Sequence, residues 1–300
     1  MSISSKLRPW ALMAGIATTA LASVPALAQD TLTRIASSGE LRLGHREKSL
    51  PFSYKDASGK VQGYTVDICL QIFEEIKKEL KRPDLRVTYL LVDGKNRITD
   101  VKNNMVDLEC GGTSNTAARQ KDISFSHHIF VASSAFLVRK NSGIKTLDDL
   151  QGKRIAVQGK TTNENLLRAN ERTFTRKFNY VLVESTLDAV NALAKGDADA
   201  AFADDAGIWI PLTRLGKSMD EFQFLDKRLS VEPYSIGLRK DDPKFKELVD
   251  RVTRRMIQNG EMTALYKKWF SSEQGMLPLS MFMKEALRRP SDMGVEQIAF

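Results

Sequence analysis

Lys102-Asn103-Asn104-Met105-Val106-Asp107-Leu108 closes a short helical pattern and enters a β-rich run. Lys195-Gly196-Asp197-Ala198-Asp199-Ala200 does the same in the second half of the chain. Each run then meets a polar stretch, residues 111–115 after the first and Asp204-Asp205 after the second. Outward from these junctions, strand and helix patterns alternate with short connections. Leu41-Arg42-Leu43 reads as a strand. Pro51-Phe52-Ser53-Tyr54 and Val61-Gln62-Gly63 flank the turn Asp56-Ala57-Ser58-Gly59. Val66, Cys69, Leu70, Phe73, Ile76 and Leu80 recur at three- and four-residue steps, one apolar helix face stopped by Pro83. Residues 86–92 and 106–109 read as strands, with a short helix over 97–103 between them. In the second half, strands are expected at 154–157, 180–183 and 200–203. Helices are expected at 162–170 and at 187–195, the latter capped by Ser185 or Thr186. Such alternation predicts an α/β protein with largely parallel sheets. The repeated junction, with loops at strand C-termini, points to two similar lobes and a ligand cleft between them.

Residues 135–139 and 234–239 are extended, apolar-alternating segments, each containing or followed by an Arg-Lys pair, and are read as the two chain crossings between lobes. Phe245, Leu248, Val249, Val252 and Met256 then form a helical stripe ended by Gly260. Met262, Leu265, Tyr266, Trp269 and Phe270 form another, whose aromatics are read as core. The predicted lobes are residues 29–133 plus 240–300, and residues 134–239.

Lys6 and Arg8 precede an apolar run from Trp10 to Ala22, and Ala26-Leu27-Ala28 supplies a small-x-small site before Gln29-Asp30. This is the layout of a cleaved secretory signal over residues 1–28. The run is too short to span about 30 Å of hydrocarbon. The leader holds two basic and no acidic side chains, so its removal lowers the formal charge from +8 to +6. With 42% hydrophobic and 27% charged residues in 300, the chain can build real cores and is not globally disordered. The modest positive charge sits on helix-like segments mixed with carboxylates, which argues for solvated faces and no nucleic-acid partner.

Catalytic signatures are scarce. The chain has no G-x-S-x-G, no H-E-x-x-H and no C-x-x-C pair. His127 and His128 are adjacent and would point to opposite faces of a strand, so no metal is expected there. Gly159-Lys160-Thr161 resembles a phosphate-loop ending, but position 154 is Arg where that motif needs Gly. Ligand-holding groups remain. Arg46 follows the first strand, Arg97 opens a short helix, and Thr113-Ser114-Asn115-Thr116 leads to Arg119. Thr162 starts a helix in the second half, and Asp204 ends a strand there. Arginine's planar fork matches a carboxylate and aspartate suits an ammonium, so three arginines and one aspartate match a ligand with two carboxylates and an amine.

Gly44-His45-Arg46-Glu47, Gly63-Tyr64-Thr65-Val66-Asp67-Ile68-Cys69, Asp107-Leu108-Glu109-Cys110-Gly111-Gly112-Thr113-Ser114-Asn115-Thr116, Arg119-Gln120 and Lys268-Trp269-Phe270 together resemble the amino-acid-binding periplasmic proteins of ABC importers. The resemblance covers nearly all of the mature chain and is greatest to the glutamate/aspartate branch. It implies a two-lobed, hinge-closing periplasmic protein, monomeric, without a cofactor, that delivers its ligand to a membrane permease. It implies that Arg119 holds the α-carboxylate, Asp204 the α-ammonium, and Arg46 and Arg97 the side-chain carboxylate. Thr113, Ser114 and Thr162 would fill the remaining hydrogen bonds. Two positions depart from the branch, Gly112 where Ser is usual and Thr186 where His is usual.

Cys69 and Cys110 are the only cysteines, one on the first long helix and one at a strand end of the same lobe. An oxidising compartment makes a disulfide the expectation, two buried thiols being the alternative. Three functional alternatives share these features: a binder of another polar amino acid, a cyclohexadienyl dehydratase on the same fold, and a sensor domain. A basic ligand would need carboxylates where arginines stand, the dehydratase needs a general acid that the sequence does not name, and no kinase or transmembrane segment follows for a sensor.

Overall fold

The computed structural model describes residues 30–174, 177–217, 220–272 and 275–295. The expected signal segment lies outside them. No described helix is long and apolar enough to cross a membrane.

The first half runs α1 (Thr31–Ser38), β1 (Glu40–His45), a small sheet of β2 (Lys48–Ser49), β3 (Ser53–Lys55) and β4 (Val61–Gln62), then α2 (Tyr64–Glu79), β5 (Arg86–Leu91) and α3 (Arg97–Lys102). It continues with β6 (Leu108–Ser114), α4 (Ala117–Gln120), β7 (Ser124–Phe125) and the long β8 (Phe130–Arg139). The second half gives β9 (Arg154–Gln158), α5 (Thr162–Phe174), β10 (Asn179–Val183), α6 (Thr186–Lys195), β11 (Ala200–Asp204) and α7 (Asp205–Arg214). After β12 (Phe222–Phe224), the long β13 (Ser230–Leu238) leads into α8 (Pro243–Gln258), α9 (Glu261–Phe270) and α10 (Met281–Arg288).

The main sheet runs β10-β9-β11-β8-β13-β6-β1-β5. Both ends are parallel: β1 pairs β5 and β6, and β9 pairs β10 and β11. The long strands β8 and β13 join the halves antiparallel, residues 130–134 against 230–234. The segments read as crossings, 135–139 and 234–239, fall just beyond this hand-over. Residues 134–138 pair with β11, and residues 234–238 pair with β6 and β7. Both strands are buried along almost their whole length, so the sequence pattern does not mark where one set of partners gives way to the other.

Local signals agree with these elements. The apolar stripe of α2 buries Val66, Cys69, Phe73 and Ile76, and Lys77 and Lys78 close its last turn, where cations suit the helix dipole. Ser185 caps α6 by accepting from the Asp188 N–H. Asp242 caps α8, with Pro243 in its first turn. One core packs α2, α8 and α9 against β1, β6 and the end of β13. Two further cores, around Phe136–Phe202 and around Leu193–Ile208, lie on the other half of the sheet.

One expectation changes. Residues 111–115 read as a loop, yet β6 continues through Ser114 and pairs Thr113 with Ser235 and Ser114 with Tyr234. The Gly-Gly-Thr-Ser composition mimics a turn because Gly112 adopts the left-handed region (φ +74°), opposite a register shift in β13.

Cys69 on α2 and Cys110 on β6 form a disulfide, as expected. It spans a sequence separation of 41. For a loop of that length, chain-entropy reasoning gives about 4 kcal/mol. The Cys69→Ser/Cys110→Ser double variant should unfold at clearly lower denaturant, with a stability loss approaching that value. An unchanged midpoint would mean that the surrounding core carries the constraint alone.

Candidate ligand-binding site

Two pairs of parallel strands, one from each half of the sheet, end at one cavity. Arg46 follows β1, Ser114 ends β6, Gln158 ends β9 and Asp204 ends β11, and all four line it. The C-terminal ends of parallel strands are where open α/β sheets leave room for ligands. Arg97 enters from the first residue of α3, Thr162 and Asn163 from the first turn of α5, and Phe52 and Tyr234 form the apolar floor. Phe52 is held edge-on by Phe130 at 5.0 Å and Tyr234 at 4.9 Å between ring centroids. The cavity is thus backed by aromatic packing at the hand-over between half-sheets.

The structure therefore brings together Arg46, Arg97, Ser114, Thr162 and Asp204. The Ser114 and Thr162 hydroxyls lie 3.4 Å apart, one from each half. Thr113 does not line the cavity. Its neighbours Gly112 and Ser114 do, and alternation along β6 turns Thr113 to the other face, where its hydroxyl is buried without a hydrogen-bond partner among the described residues. Arg119 stands behind the lining, donating from Nη1 to the Ser114 carbonyl oxygen at 2.8 Å. The departures also have places: Gly112 and Thr186 both line the cavity.

The electrostatics are uneven. Arg46 and Arg97 are 6% and 5% exposed. Neither they nor Arg119 has a carboxylate within ion-pair distance (4.0 Å) among the described residues, and the buried Arg97 Nε lacks a hydrogen-bond partner. Burial, then the like charge of Arg97, pushes the Arg46 guanidinium down to about 10 and Arg119 to about 9. Asp204 is the opposite pole. It accepts from Ser134 Oγ at 3.2 Å, from Asn163 Nδ2 at 3.1 Å and from the Tyr234 hydroxyl, all neutral donors. Burial raises its pKa, and these hydrogen bonds oppose the rise. Tyr234 and Asn163 carry no local sign in the sequence of a place in the site. Asn163 adjoins Thr162, but Tyr234 reaches the site only because β13 crosses the sheet, which no local pattern shows.

The C-terminal segment ties down the arm that carries Arg119. Ala117 N–H donates to the Val295 carbonyl and Val295 N–H to the Asn115 carbonyl, both at 3.1 Å. Asn115 and Gln120 side chains donate to the Asp292 carbonyl at 3.0 and 2.8 Å, and Lys246 pairs with the Asp292 carboxylate at 2.8 Å. His127 and His128 sit in a loop rather than a strand and part ways. His127 Nδ1 meets the Thr253 hydroxyl, whereas His128 Nε2 meets the Met293 carbonyl. The described residues hold no cluster of three metal-ligating side chains. Truncation before Arg289 should speed amide exchange over residues 115–120 and weaken ligand binding, while α2 and α8 stay protected. Unchanged exchange there would show that the tail holds nothing in place.

Residues 41–272 match the model of the bacterial extracellular solute-binding proteins, family 3. The chain belongs to that family. It is 35% identical to the L-glutamate/L-aspartate-binding protein of Pseudomonas aeruginosa, over 93% of this chain and 95% of that one. It is 36% identical to the glutamate/aspartate import solute-binding protein of Escherichia coli, over 94% of each. Among solved structures, a mutant of ArgBP from T. maritima superposes with a TM-score of 0.69 at 27% identity, covering 80% of this chain and 99% of that one. An ancestral amino acid-binding protein described as a precursor of cyclohexadienyl dehydratase gives 0.68 at 27% identity, with 80% and 100% covered.

Proposed function

We propose that this protein captures glutamate or aspartate outside the cytoplasm, in the periplasm, and hands it to an ABC permease. The observation that carries this reading is Arg46 and Arg97, with no carboxylate within ion-pair distance among the described residues, facing the buried Asp204 across one cavity, with Arg119 behind its lining. In this reading Arg119 takes the α-carboxylate and Asp204 the α-ammonium. Arg46 and Arg97 take the side-chain carboxylate, and the Ser114 and Thr162 hydroxyls complete the shell. The relatives named for glutamate and aspartate, similar over nearly their whole length, support the ligand class. The two half-sheets act as lobes that close about residues 130–134 and 230–234, so the closed form is the one a permease reads. A micromolar constant needs about 8 kcal/mol. Charge-assisted hydrogen bonds at about 1.5–3 kcal/mol each reach that with a few contacts.

A thermal-shift screen of the ligand-free protein against the amino acids tests the reading. Glutamate or aspartate at 100 times its dissociation constant should add about 2.7 kcal/mol. A shift with lysine or arginine and none with the acids would overturn it. The dehydratase alternative has one motive, the ancestral neighbour, and its substrates also carry two carboxylates. Formation of phenylpyruvate or phenylalanine from prephenate or arogenate would establish it.

A further inference from the structure

Glu109 is the second residue of β6, 1% exposed, and neither carboxylate oxygen has a hydrogen-bond partner among the described residues. A buried carboxylate without hydrogen bonds is costly unless positive charge offsets it. Its surroundings show where that charge is. A Cβ placed on Gly111 would lie 2.3 Å from Glu109 Oε1 and 2.7 Å from Arg46 Cγ. The carboxylate and the Arg46 stem therefore share the space that this glycine leaves open, and Gly111 itself lines the cavity. On the opposite strand Gly237 leaves room for the Glu109 Cβ, 3.3 Å from where its own would stand. Glu109 raises the proton affinity of both Arg46 and Arg119, against burial and against Arg97. The next residue, Cys110, turns to the other face of β6 and is bonded to α2, which fixes the strand beneath.

We propose that Glu109 is a specificity-tuning residue, the protein's own anion among Arg46 and its neighbouring arginines, which a carboxylate ligand must compete with for the same positive charge. In the empty cleft it offsets the mutual repulsion of the guanidinium groups. In the occupied cleft it tempers the attraction for a second carboxylate, while an amide ligand, which brings no charge, is little affected. The proposal rests on the acidic-ligand reading above.

The test is calorimetric titration of the wild type and Glu109→Gln with L-glutamate and with L-glutamine, together with thermal unfolding of ligand-free Glu109→Gln, Arg46→Gln and the double variant. The glutamate-to-glutamine affinity ratio should rise about tenfold in Glu109→Gln, the size of a single buried coulombic coupling. An unchanged ratio, or equal weakening of both ligands, overturns the proposal. The unfolding cycle needs no ligand. Arg46→Gln should be far less harmful once Glu109 is neutral, and a double variant that folds where Glu109→Gln alone does not is the same coupling in its extreme form. Additive midpoint shifts overturn the counter-ion role. A wild type that binds neither acid overturns the acidic-ligand reading, and the cycle then still decides whether Glu109 balances Arg46.

Discussion

Replacing Arg119 by alanine should abolish binding of every amino acid, because the α-carboxylate is common to all of them. Removing one partner of a buried charge pair costs about 3–5 kcal/mol, a loss of about 150-fold to several thousand-fold by calorimetry. The reason lies in where Arg119 stands. Its guanidinium is fixed by the Ser114 carbonyl, and its charge is felt at both Asp204 and Glu232, two buried acids whose pKa values burial raises. Arg119→Lys restores a charge but not the planar fork, so it should recover only part of the loss. Affinity unchanged in Arg119→Ala, with circular dichroism of a folded protein, would place the α-carboxylate elsewhere.

Much of the fold is legible in residues that act locally. The α2 stripe, the Ser185 cap and the repeated helix-to-strand junctions each depend on neighbours three or four positions away, and each has its element in the structure. Non-local pairing is not legible in that way. β6 looks like a loop after Cys110 because glycine and hydroxyl residues favour turns, and only pairing with β13 keeps it extended to Ser114. The same limit governs the site. Arg46, Arg97, Ser114, Thr162 and Asp204 are legible because strand ends and helix starts announce them. Thr113 turns away because a strand alternates where a loop need not. Tyr234 closes on Asp204 from a strand that enters from the far side of the sheet. Glu109 hides in a run that reads as core, since a buried acid shows its meaning only beside the cations it offsets.

Arg46→Ala and Arg97→Ala should separate acids from amides where Arg119→Ala does not. Each is expected to weaken glutamate and aspartate by about 2–5 kcal/mol, the usual loss when one member of a buried charge pair is truncated. Glutamine and asparagine should lose much less, because a neutral amide strands no charge when its partner is removed. The two arginines are almost fully buried, line the cavity, and have no carboxylate of the protein within ion-pair distance among the described residues. Burial, then the like charge of Arg97, holds the Arg46 guanidinium below its usual value, so Arg46 gains from an added anion. Glu47 and Asp100, the acids close in sequence that could have claimed them, form no ion pair with either. Thr186 stands where the acidic-ligand branch usually has His, so the reading proposed above gives the side-chain carboxylate to these two residues alone. Titration of both variants with all four amino acids reads the split. Equal losses for acids and amides would make Arg46 and Arg97 structural, and would leave a cavity that recognises only the amino-acid backbone.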